Sequence, residues 1–211
     1  MVVLYGSRGS GSAAIEAALA LLGQPARIVE AATWVPGPGL DELRTVNPLG
    51  QIPTLVLADG TVLTESAAIL LHLGLMHPES ALLPADASAR AQAMRGLVYI
   101  AANCYAAIGL IDYPERWCED ADEPTNKRIQ AGSRHRLHAL RDIFADTFPA
   151  PPWLSGRDLG ALDLLAAVVS QWSGTRAHLA TSRPAFRALL TRIEDDPRVA
   201  AVFARHWPPV A

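Results

Sequence analysis

Glu65 and Ser66 stand side by side in Leu63-Thr64-Glu65-Ser66-Ala67-Ala68-Ile69, where a β-prone stretch runs directly into a helical one. A hydroxyl and the free backbone N–H groups of a helix start make a natural seat for a carboxylate. The Glu65 carboxylate would accept an ammonium group, so the pair suits an amino-acid head group bearing both charges. A simple helix cap would use the same residues. A second segment, Asn47-Pro48-Leu49-Gly50-Gln51-Ile52-Pro53-Thr54-Leu55, puts Pro53 where a strand begins. That proline cannot donate to a ladder and is compatible with cis geometry. A turn proline before an edge strand is the plainer alternative. The third segment, Ser7-Arg8-Gly9-Ser10-Gly11-Ser12, precedes an Ala/Leu-rich helix. Hydroxyls and amides at that helix start would stabilise an anion such as a thiolate. Its glycines fit neither Gly-x-Gly-x-x-Gly nor Gly-x-x-x-x-Gly-Lys-Ser/Thr. Capping by one serine competes closely with anion binding.

Periodicity gives the elements that must position these segments. Residues 2–5 are β-prone, residues 13–22 carry Ile15, Leu19 and Leu22 on one helical stripe, and residues 27–30 suit a second strand. Together they make one βαβ unit. After a Pro/Gly-rich loop at 34–39, a short helix is expected over 40–46. Strands over 54–57 and 61–64 flank Asp59-Gly60, a hairpin signal, and a helix follows over 65–75. The order is βαβ-α-ββ-α across residues 1–77. Residues 78–88, with Pro78 and Pro84, read as a linker, and residues 89–211 as wholly helical. Met94, Leu97, Val98, Ala101, Tyr105 and Ile108 fit one long helix. Ile129, Leu137, Leu140 and Phe144 fit a second, whose other face would hold Arg128, Arg134, Arg136 and Arg141 in solvent. Residues 159–169, apolar all round, belong inside a bundle. Shorter helices follow Pro184 and Pro197.

Composition sets the outer bounds. Half of the 211 residues are apolar and 18% are charged, below the usual share of about 25%, which favours a well-buried fold. A formal net charge of −3 argues against a nucleic-acid partner, which would want a basic face. Cys104 and Cys118 lack both Cys-x-x-Cys and metal-ligand spacing, so reduced thiols in a core or pocket wall are expected, and no metal. The longest apolar run, 159–169, is broken by Asp163 and too short for a bilayer. With no basic flank or cleavage signal at the N-terminus, a cytoplasmic protein without membrane attachment is expected.

The Asn-Pro-Leu-Gly-Gln-Ile-Pro-Thr-Leu segment, followed ten residues after Leu55 by Glu65-Ser66-Ala-Ala-Ile, resembles the glutathione-binding half of the glutathione transferase family. The likeness extends over essentially the whole chain, including Trp153-Leu154-Ser155-Gly156 and a buried helix carrying Asp163. It implies an α/β thioredoxin-like N-terminal domain and an all-α C-terminal helical bundle domain. It also implies that Pro53 is cis, that Ile52 pairs its backbone with the cysteinyl part of glutathione, and that Gln51 beside them contacts the peptide. Glu65 and Ser66 match the residues that hold the γ-glutamyl head group. Asp163 matches a buried aspartate that ties down its helix, while Gly160 stands where the family usually has a Ser or Thr cap.

For the thiol-activating group the resemblance to serine-type branches points to the start of the first helix. The matching position falls at Gly9, with Ser10 next to it and Gly11 where cysteine-type members carry Cys. Ser10 is therefore the first candidate, followed by Ser12 and then Ser7. Tyr5 lies where tyrosine-type members carry their catalytic Tyr, but it reads better as a strand residue. Tyr105, Ile108, Tyr113 and Trp117, with Cys104 nearby, would line the pocket for the electrophile. Trp34 and Arg8 would reach the rim or the glutathione carboxylates, and Trp153 and Trp172 belong to the core. The resemblance implies a homodimeric detoxification enzyme with glutathione as co-substrate, a small hydrophobic electrophile and no metal. Disulfide reduction, isomerisation and a non-catalytic scaffold stay open. The scaffold gains from the missing hydroxyl at Gly9 and the missing thiol at Gly11.

Overall fold

In the computed structural model, which describes residues 1–148, 150 and 152–208, β1 (Val2–Gly6) lies inside a four-stranded sheet of order β2-β1-β3-β4. It pairs in parallel with β2 (Ala26–Glu30) and antiparallel with β3 (Thr54–Val56), which pairs antiparallel with β4 (Val62–Thr64). The two-residue period of β1 serves two cores. Val2 and Leu4 join the main core with α1 (Ser12–Leu21) and α3 (Ser66–Met76). Tyr5 turns the other way, onto Leu40 and Leu43 of α2 (Pro38–Val46). The order of elements is the one expected, and the arrangement is the thioredoxin-like one that the resemblance implied.

The rest of the described chain is mostly helical. Ala87–Asp112 forms one continuous helix of 26 residues, made of α4 (Ala87–Tyr99), a π-helical stretch (Ile100–Tyr105) and α5 (Ala106–Asp112). Its length and apolar composition would suit a membrane span, so the run at 159–169 is not the longest apolar helix, contrary to expectation. Here Leu97, Ile100, Cys104, Ile108 and Ile111 are buried in the core, and the helix packs on α6 (Glu123–Thr147) and α7 (Ala161–Val169). Three shorter helices follow, α8 (Thr175–Ser182), α9 (Pro184–Glu194) and α10 (Ala200–His206).

Every residue of α7 is buried, and its start is fixed by Asp163. One carboxylate oxygen accepts the N–H of Leu154 at 2.7 Å; the other accepts those of Ser155 and Gly160 at 3.0 and 3.1 Å. Burial pushes the carboxyl up and these donors draw it back. Glycine at the cap position has a spatial cause. A Cβ on Gly160 would lie 2.7 Å from the Leu82 carbonyl oxygen and 2.8 Å from Ser155 Cβ. The same Leu82 carbonyl accepts the Ala161 N–H at 2.8 Å, so the segment before α4 closes the end of α7.

One expectation about surface charge fails. Arg128, Arg134 and Arg136 are exposed, but Arg141 is fully buried and none of its guanidinium nitrogens has a hydrogen-bond partner among the described residues. Its position four residues after Leu137 and three before Phe144 puts it on the apolar stripe of α6, not opposite it.

Candidate active site

The loop before β3 is held by two buried polar side chains. Asn47 donates to the Gln51 carbonyl at 3.1 Å and to Thr54 Oγ1 at 2.9 Å. Thr54 Oγ1 donates to the same carbonyl at 2.8 Å, and the Leu49 N–H bonds back to Asn47 Oδ1 at 3.1 Å. These bonds fix the turn in which the Ile52–Pro53 peptide is cis. At the far end of the hairpin Glu65 is the N-cap of α3 with φ of 66°. That is a left-handed conformation costly for a residue with a Cβ, of order 1–3 kcal/mol. It sets Ser66, which is buried, as the first residue of the helix. Ser66 borders the same cleft as Glu65.

The start of α1 is built from serines. Ser10 Oγ accepts the N–H groups of Ser7 and Ser12 at 3.3 and 3.2 Å, so it caps the helix, and it lies 3.0 Å from Ser12 Oγ. Ser12 Oγ in turn donates to the Ser7 carbonyl at 3.3 Å. Gly9 is left-handed, with φ of 71°, and both of its peptide groups are held from the helical part. Its N–H is accepted by His206 Nδ1 at 3.1 Å and its carbonyl accepts the Trp172 indole N–H at 3.1 Å. His206 is fastened by its other nitrogen, 2.9 Å from the buried Glu16 carboxylate, which Arg205 also reaches. Burial would raise that carboxyl, but His206 and Arg205 together hold it below the ordinary range.

These segments border one cleft of about 530 Å³. From the sheet side come Ser10, Gln51, Ile52, Pro53, Glu65 and Ser66. Opposite them stand Tyr105, Ile108 and Tyr113 from the long helix and its end. Thr33, Trp34, Gly109, Asp112 and Trp172 complete much of the wall. The formal charges on this wall are those of Glu65 and Asp112, and burial raises the Asp112 carboxyl. The wall thus combines a carboxylate, the starts of two helices and the side chains of Tyr105, Ile108 and Tyr113.

Several candidates lie elsewhere. Tyr5 donates to Glu42 at 2.9 Å on the α2 side of the sheet, outside the cleft wall, because strand alternation turns it there. Ser12 is fully buried behind Ser10 and Ser7 does not border the cleft. Trp117 is 61% exposed and off the wall: α5 stops at Asp112, and the turn Pro114–Arg116 carries the chain outward. Arg8 leans away to donate to the Arg205 carbonyl at 2.9 Å. Trp172, assigned to the core from sequence, borders the cleft. His206 was not singled out at all, and nothing local in its sequence marks it.

Residues 12–75 match the family described as the glutathione S-transferase N-terminal domain. Over 173 residues the chain is 32% identical to the uncharacterized GST-like protein YncG of Escherichia coli K12, covering 82% of each chain. It is 28% identical over 134 residues to the glutathione S-transferase GstA of Escherichia coli O157:H7, spanning 63% of this chain and 62% of that one. The fold matches, with a TM-score of 0.82 and 25% identity over 96% of each chain, the crystal structure of a glutathione transferase homologue from Sulfitobacter with bound glutathione.

Proposed function

This chain belongs to the glutathione transferase family, and from that premise we propose that its cleft binds glutathione and presents the thiolate to a small hydrophobic electrophile. The observation that carries this reading is the convergence of Glu65-Ser66, the cis Ile52–Pro53 turn and the start of α1 on one wall. In it, the Glu65 carboxylate accepts the γ-glutamyl ammonium, and Ser66 with the first N–H groups of α3 binds the neighbouring carboxylate. The Ile52 backbone pairs with the cysteinyl peptide, and Gln51 lies alongside. The sulfur then meets Ser10 at the positive end of α1.

Ser10 has one proton to give. When it donates to the thiolate, Ser12 turns its own proton from the Ser7 carbonyl to Ser10 Oγ, 3.0 Å away. The Ser7 carbonyl keeps the Ser10 N–H at 3.2 Å, so no buried group is stranded. A thiolate so held attacks an electrophilic carbon seated against Tyr105, Ile108 and Tyr113. With no cysteine between Ser7 and Ser12, a covalent link to the enzyme at this point is excluded from the scheme.

We further read the protein as a homodimer of the cytoplasm. Exposed apolar side chains such as Val62, Leu75, Met76 and Val98 support self-association, and the unpaired Cys104 and Cys118 suit a reducing compartment. A generic aryl halide with glutathione tests the activity. Turnover supports the transferase. Glutathione binding with no turnover across a broad electrophile panel would instead favour the scaffold, the reading fed by Gly9 and Gly11.

A further inference from the structure

Tyr105 reaches the cleft from the side opposite Ser10. It ends the π-helical stretch Ile100–Tyr105, a departure from α-helix frequently seen at functional sites. Its ring packs on Trp172, with centroids 6.1 Å apart, and the Trp172 indole is itself bonded to the Gly9 carbonyl. The phenol is therefore aimed at the start of α1 by a chain of fixed contacts. A Cβ built on Gly11 would lie 2.5 Å from Tyr105 Oη, 3.5 Å from Ser66 Oγ and 3.6 Å from Pro53 Cδ. The hydroxyl occupies the space into which a side chain at position 11 would project.

That hydroxyl oxygen is closed to solvent and has no hydrogen-bond partner among the described residues. A buried hydroxyl without a partner is unfavourable, and in a binding cleft it calls for a ligand atom. Burial pushes its pKa up to about 12; Ser66 and the buried Arg141 draw it down, and Glu65 pushes it up. The phenol thus keeps its proton at any working pH and acts as a donor, not a base. On the glutathione reading, the cysteinyl residue passes between the Ser66 end and the start of α1, beside Gly11.

We infer that the Tyr105 hydroxyl donates a hydrogen bond to the glutathione sulfur and stabilises the thiolate from the helical side, facing Ser10. The inference rests on the glutathione reading above. The thiol proton leaves to solvent, and Tyr105 retains its own throughout. Gly11 is then the counterpart of Tyr105: the missing side chain at position 11 makes room for a donor supplied by another part of the chain.

The test is Tyr105→Phe, which keeps the ring, read by thiolate absorbance of bound glutathione against pH. The apparent thiol pKa is expected to rise by about one unit, the tenfold effect of losing one charged hydrogen bond. Affinity for S-methylglutathione, which has no thiol, should stay within about twofold of wild type. Gly11→Ala, whose methyl displaces the hydroxyl, should raise the thiol pKa similarly, and the double variant should add little to either single change. An unchanged thiol pKa in Tyr105→Phe, with glutathione still bound, overturns the inference and leaves the glutathione reading standing. No glutathione binding by the wild-type protein overturns both. Additive effects of the two substitutions would also refute the proposed link between them.

Discussion

His206 Nδ1 accepts the N–H of Gly9 at 3.1 Å, joining the end of α10 to the loop that leads into α1. The bond requires the ring proton on Nε2, where it is donated to Glu16 Oε1 at 2.9 Å. His206 is thereby fixed in one tautomer between a backbone donor and a carboxylate. With Trp172 on the Gly9 carbonyl, the peptides on both sides of this glycine are set by side chains far along the chain.

His206→Phe should therefore damage both the fold and the thiol end of the cleft. It strands the Gly9 N–H and removes a partner of buried Glu16, a loss of roughly 2–4 kcal/mol in urea unfolding. Because Ser10 follows Gly9, kcat should fall about tenfold while KM for glutathione, which the proposed reading assigns to Glu65 and Ser66, changes little. A variant with normal kcat and only lowered stability would show that His206 holds the fold alone.

Glu16 gives the pH dependence. Its folded carboxyl lies below the ordinary value of 4.5, since His206 and Arg205 outweigh the upward push of burial. A depressed acid stabilises the fold fully above its unfolded pKa and loses that contribution as pH falls through the folded value. Wild type should exceed Glu16→Gln in stability at about pH 7, with the gap closing below about pH 4.5. A gap that persists unchanged into acid would mean the carboxylate charge is not what matters.

Gly160→Ser would restore the family's usual cap, yet it should destabilise the protein by about 1–3 kcal/mol. The new Cβ meets the Leu82 carbonyl at 2.7 Å, and backbone cannot yield as a side-chain tip can. Urea titration decides it, and a gain in stability would contradict the close approach.

Ser10→Ala removes the acceptor of the Ser12 N–H and, on the proposed reading, the donor to the thiolate. Loss of one hydrogen bond to a charged group, roughly 1.5–3 kcal/mol, should slow conjugation about tenfold to a hundredfold. Steady-state rates within about twofold of wild type would remove Ser10 from the scheme.

What was legible in the sequence was local. Strand-to-helix junctions, the Asp59-Gly60 hairpin and the Glu65-Ser66 pair announce themselves within a few residues, and so did the order of the elements. Arg141 was also legible, since its spacing from Leu137 and Phe144 sets it on the buried stripe despite its charge. Trp117, a pocket candidate from the resemblance, lies off the cleft wall because α5 ends at Asp112 and the turn Pro114–Arg116 leads the chain away. Trp172 was read as core, where it does pack, but neither its bond to Gly9 nor that of His206 could be read. Their partner is Gly9, at the other end of the chain, and only tertiary packing brings them to it. Gly160 belongs with them, because the Leu82 carbonyl that forbids a side chain there comes from a distant segment.

The central claim is that Glu65 and the start of α3 hold the head group of glutathione. Glu65→Gly tests it most directly, because glycine tolerates a φ of 66° without strain, so the carboxylate is lost while the backbone is preserved. Calorimetric titration should show wild type binding glutathione and Glu65→Gly binding it at least about tenfold more weakly, with unfolding stability equal or higher. Equal affinity in the two proteins, or no heat of binding in wild type, would contradict the account.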